Sequence, residues 1–88
     1  GAAAAPYAAG VVRALAHAVM DAPADVQATA ADALREAMNG WMAGFARARH
    51  QKTVVAAAEQ GIELAKKRGD GAQPPIALQL LLEAVRDT

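Results

Sequence analysis

Residues Ala24–Arg68 read ADVQATAADALREAMNGWMAGFARARHQKTVVAAAEQGIELAKKR. The stretch contains no proline and has a helical pattern almost throughout. Small or apolar residues recur at Ala30, Leu34, Ala37, Trp41, Gly44 and Ala48, then at Val55, Ala58, Ile62 and Ala65. Steps of three and four are the seam spacing of packed helices, and only Gln51 interrupts the stripe. The opposite face carries Asp25, Asp32, Arg35, Glu36, Arg47, Glu59, Glu63 and Lys66. Glu63 stands four residues before Lys67, the favourable orientation for a helical ion pair.

As one helix this stretch would span roughly 68 Å at about 1.5 Å per residue. The flanking segments are too short to cover it. Either it breaks and folds back, or a second copy covers the excess seam. Two break points are available. Asn39-Gly40 could end a helix, with Gly40 in a left-handed cap. Arg49-His50-Gln51-Lys52 could be a hinge, with Thr53 capping the next helix. The seam keeps its phase across 39–40, so the spacing favours helix through that point.

On the N-terminal side, Ala2–Pro6 reads as the end of an Ala-rich linker, residues 1–6, and Pro6 suits the first position of a helix. Tyr7, Val11, Leu15 and Val19 repeat every four residues, and Val12 and Ala16 widen the stripe. Arg13, His17 and Asp21 form its wet counterpart. The residue before a proline avoids the α region, so Ala22-Pro23 ends this helix. Pro23 can then open the next, with Asp21 and Asp25 near its positive N-terminus. On the C-terminal side, Lys66-Lys67-Arg68-Gly69 is a stop signal. Residues 69–74 form a flexible link, and Pro74-Pro75 leads into a terminal helix over 75–88. There Ile76, Leu78, Leu80, Leu81, Leu82 and Val85 cover more than half the circumference, more than a lone surface helix requires.

The chain has 88 residues, zero formal net charge and no cysteine. Its length implies one domain, with residues 7–68 as a helical oligomerisation region. Most of its apolar content is alanine, and a buried methyl contributes well below the ~1.5–3 kcal/mol of a buried leucine or valine. Strong helical propensity over a thin core favours association. The absence of cysteine excludes disulfide and thiolate chemistry. Serine is absent too, which removes the usual hydroxyl nucleophile. Zero net charge argues against nucleic-acid binding by the whole chain, although Arg47–Arg68 is locally basic. No run has the length of a transmembrane helix, and Ala2–Ala5 lacks the features of a signal peptide. The expected setting is the cytoplasm.

Candidate sites are few. His17 and His50 lie on different segments and lack further ligands at metal spacing. His17 with Asp21, and Asp32 with Glu36, share helix faces and could do acid–base work, but solvated faces explain both pairs. Arg47, Arg49, His50 and Lys52 could contact phosphates, yet at helical spacing they wrap more than one face. Trp41 and Phe45, four apart, read as core anchors. Gly40 and Gly44 would admit a close neighbour. No catalytic residue, metal or cofactor is expected. The terminal helix is the sharpest feature. An apolar helix behind a Gly/Pro link is what a helix-in-groove ligand looks like; the alternative is that it closes the chain's own core. Leu81→Asp separates the two, since it abolishes partner binding in the first case and unfolds the domain in the second.

This layout resembles the C-terminal docking domains of bacterial modular polyketide synthases. The features that carry the likeness are the lead-in Ala2–Pro6, two helical segments parted at Ala22-Pro23, the link Gly69–Gln73 and the terminal helix Pro75–Thr88. The resemblance implies an intertwined dimer of the first helices, with the last helix binding the next synthase subunit. Partner contacts would then fall on Ile76, Leu78, Leu81, Leu82, Glu83, Val85, Arg86 and Asp87. The dimer seam would fall on Val11, Leu15, Leu34, Trp41, Phe45 and Ile62. The sequence therefore predicts an all-α bundle of three to four helices with a long central stretch, dimeric, that holds protein chains together. The alternatives are a small helical nucleic-acid-binding or regulatory protein and a self-assembling structural subunit.

Overall fold

The computed structural model describes residues 5–40, 45–68 and 75–86. These form four helices and no strand: α1 (Ala5–Asp21), α2 (Ala24–Asn39), α3 (Phe45–Lys67) and α4 (Ile76–Arg86). α1 packs across α2 and α3, and α4 packs across the same two helices. The all-α bundle expected from the spacing is therefore present, and one chain closes it.

The central stretch breaks, and it does so after Asn39, where continuous helix was expected. Gly40 is the C-cap, and its N–H donates to the Glu36 carbonyl at 2.8 Å. Its φ of −106° is not the left-handed conformation expected of it. Glycine serves there by lacking a Cβ, which would stand 2.8 Å from the Glu36 oxygen. The alternative hinge at 49–52 lies within unbroken α3, so Thr53 caps nothing. The break also resets the seam. α2 buries Ala30, Leu34 and Ala37 as expected, and α3 buries Ala58 as expected, but beside it α3 buries Val54 and Ala57 in place of Val55 and Ile62. A one-residue step is about 100° around a helix, enough to move Val55 and Ile62 to half-buried flanks. α1 is rotated in the same way. Ala8, Val12, Ala16 and Val19 face the core, while Tyr7 is 69% exposed. Folding back lets α1 and α4 pack against both α2 and α3, so a second copy is not needed to cover a long rod.

The junction of α1, α2 and α3 explains how so alanine-rich a core holds its register. Pro23 has no N–H, so the Val19 carbonyl cannot receive the bond that residue i+4 normally gives in a helix. Gln27 supplies it. This side chain is fully buried, and its Nε2 donates to Val19 O at 2.8 Å and to Gly61 O at 3.2 Å. Arg68 completes the group, donating from Nη1 to Gln27 Oε1 at 3.2 Å and from Nη2 to Ala22 O at 2.7 Å. A cation at the last carbonyls of a helix also meets the negative end of its dipole. α1 and α3 come this close only because residue 61 is glycine: a Cβ would lie 2.6 Å from Val19 O.

That clash is with backbone, which cannot swing away. Gly61→Ala should therefore destabilise the bundle by up to about 2 kcal/mol, its overpacking cost of ~1–3 kcal/mol set against the ~1 kcal/mol gain in helix propensity. Gly10→Ala meets no atom within 4 Å and should stabilise by the propensity gain alone. Thermal unfolding followed by circular dichroism should show opposite shifts for the two variants, several degrees each way.

Candidate functional site

Two kinds of surface remain once the core is closed: polar side chains that tie helix ends together, and apolar strips that no helix of the chain covers. Most of the conspicuous polar residues belong to the first kind. Arg47 Nη2 donates to the Ala84 carbonyl at the end of α4, and its Nη1 donates to Asn39 Oδ1 at 2.9 Å at the end of α2. Gln51 Nε2 donates to Val85 O at 2.6 Å. These carbonyls belong to the last turn of α4, where no further helical N–H reaches them. Gln51, which interrupts the apolar stripe, is thus a cap for another helix. Arg47, a candidate phosphate contact on sequence grounds, is turned inward. Glu63 pairs with Lys66 at 3.8 Å, one residue short of the expected Lys67.

The acid–base candidates do not assemble. Asp32 pairs with Arg35 at 3.6 Å on the surface of α2, and Glu36 is exposed. Among the described residues no group of three or more His, Asp or Glu side chains could hold a metal ion. No helix of the described chain is long and apolar enough to cross a membrane.

The structure divides the expected partner contacts of the terminal helix. Leu78, Leu81 and Val85 are fully buried against the chain's own core. That contradicts an outward docking role for these three and selects the core-closing alternative. The reason is local geometry. Together with Ala77 they form one arc of α4, which fills the space between α2 and α3, where alanines alone would leave a void. Ile76 is 71% exposed, Leu82 is half-buried, and Glu83 and Arg86 are exposed, with Arg86 3.4 Å from Glu59. Asp87 lies outside the described residues.

Of the expected dimer seam, Leu34 is wholly inside the bundle, so it forms no seam, and Ile62 is half-buried against the core. Trp41 lies outside the described residues, and Phe45 opens α3. Val11 and Leu15 are half-buried on the flank of α1 that Tyr7 continues outward. That flank runs into a groove of about 320 Å³ between α1 and α2, lined by Leu15, Ala18, Val26, Ala30 and Ala33 with Asp25 and Thr29 at its edge. Val26 stands 45% exposed beside it. Val26 stands four residues before Ala30, at the outer start of the α2 stripe.

No protein-family model, curated protein or solved structure matches this chain. Any account of its role therefore rests on its own surfaces.

Leu81→Asp should now unfold the domain. An unpaired carboxylate left in the core costs about 3–5 kcal/mol before the lost leucine is counted, against a small domain's few kcal/mol of stability. Ile76→Asp, one turn away at an exposed position, should change stability by no more than ~0.5 kcal/mol. Circular dichroism of the two purified variants makes the comparison; a folded Leu81→Asp would contradict the buried position of α4.

Proposed function

We propose that the chain is a non-catalytic protein–protein interaction module, dimeric in solution, that joins subunits of a larger cytoplasmic assembly such as a modular polyketide synthase. The observation that supports it is the apolar row of Tyr7, Val11 and Leu15, four residues apart on α1, with Val26 of α2 beside Leu15; Tyr7 and Val26 are exposed, and Val11 and Leu15 are half-buried. Scattered surface hydrophobics are ordinary, but a contiguous strip beside a groove is the usual mark of a contact surface. The described chain has three helices before residue 69 rather than two, so what supports the docking-domain comparison is the separate terminal helix α4, with one change of mechanism. Association runs through the exterior of α1 and α2, because the terminal helix is engaged in the chain's own core. The outer edge of α4, with Ile76 flanked by Glu83 and Arg86, is left for a second partner, and its charges would set specificity more than affinity.

The strip is short. Each half-exposed side chain gains only part of the ~1.5–3 kcal/mol of full burial, and association itself costs about 4–15 kcal/mol. The dimer should therefore be weak, in the micromolar range. The nucleic-acid alternative loses support, since Arg47 is committed to Asn39 and Ala84.

Sedimentation equilibrium over two decades of concentration should show the mass rising from 9.0 kDa towards a plateau at twice that value. Val26→Glu should hold it at the monomer mass with unchanged helicity. A constant monomer mass for the unsubstituted chain would contradict the dimer, and a mass that climbs without a plateau would favour the self-assembling subunit instead.

A further inference from the structure

The sequence sets His17 and His50 apart on different segments, but the fold brings them to one place. Both line a groove of about 290 Å³ between α1 and α3. Its floor is apolar: Val12 and Ala16 are buried, and Met20 is half-buried. Its rim is polar and carries Arg13 and His17 from α1 with His50 and Thr53 from α3. No Asp or Glu lines it.

The rim groups are also unengaged. Arg35, Arg47, Arg68 and Arg86 each bond to a carboxylate, an amide oxygen or a backbone carbonyl. Among the described residues, Arg13, His17, His50 and Thr53 have no hydrogen bond or ion pair. One permanent cation, two imidazoles and a hydroxyl thus converge on a concave, apolar-floored site with their donors free. Donors of this kind favour an oxyanion, and a guanidinium binds carboxylate or phosphate with the strongest of them.

We infer that the α1–α3 groove binds a small oxyanion carried on a short apolar body. The head group sits among Arg13, His17, His50 and Thr53, and the apolar body lies on Val12, Ala16 and Met20.

Butyl phosphate, butyrate and inorganic phosphate, each titrated into the full chain and followed by NMR, test this. Butyl phosphate should shift the ring signals of His17 and His50 and the methyl signals of Val12 and Met20 along one saturable curve. Its affinity should fall about tenfold in Arg13→Gln, an exposed position where folding is not at risk. Butyrate binding with the same signature identifies the head-group chemistry as carboxylate as well as phosphate. Three results would overturn the assignment: no saturable change at the two histidines, equal affinity in Arg13→Gln, or inorganic phosphate binding as tightly as butyl phosphate.

Discussion

The approach of α1 to α3 at Val19 and Gly61 is the contact on which the bundle depends. It is set by a chain of local necessities. Pro23 turns the chain sharply but removes an N–H, which orphans the Val19 carbonyl. Gln27, one helical turn into α2, returns a donor to that oxygen and shares its amide with the Gly61 carbonyl of α3. A buried amide without partners costs about 1–3 kcal/mol, so Gln27 can be enclosed only where both oxygens wait for it. Polar pairing therefore selects one register from the many that an alanine surface would accept.

Alanine cores face a general difficulty: small side chains let helices approach closely but discriminate poorly between one packing and another. This chain offsets the weakness with side chains of α3, and of Arg68 just after it, that bond the ends of other helices. Arg68 reaches the last turn of α1, and Arg47 and Gln51 reach the last turn of α4. Each satisfies carbonyls that a helix end leaves open, and the arginines also oppose the negative end of a helix dipole. The large apolar residues are concentrated in one core, with Leu34 and Met38 from α2 and Leu78, Leu81 and Val85 from α4, two helices that pack together. The interior is thus small but specific; of the apolar residues left partly or wholly outside it, Tyr7, Val11, Leu15 and Val26 lie along α1 and the start of α2, and Ile76 stands on α4.

Much of this could be read from the chain alone. Helix class follows from spacing, the α1–α2 turn from Pro23, and the end of α3 from Lys66-Lys67-Arg68. The phase of each seam could not be read, because alanine is nearly as acceptable on the surface as in the core, and a stripe of alanines points in no single direction. The break after Asn39 was hidden for the same reason: its apparent continuity of phase came from small residues that constrain little. Gln27 was legible in principle, as the amide nearest to a carbonyl that Pro23 must orphan. The choice between an outward and an inward α4 was not, since the same arc of leucines serves both. The convergence of Arg13, His17 and His50 depends on how α1 and α3 are rotated, which no local pattern reveals.

A single chain closes its own bundle. An isotope-filtered NOE experiment on a mixture of labelled and unlabelled chains tests that directly. Contacts from Val19 to Gly61 and from Leu81 to Leu34 or Met38 should appear in the uniformly labelled sample and vanish from the filtered spectrum, which records only pairs between different chains. If those contacts persist in the filtered spectrum, the helices are exchanged between copies, and the closed bundle is not the unit that this chain forms.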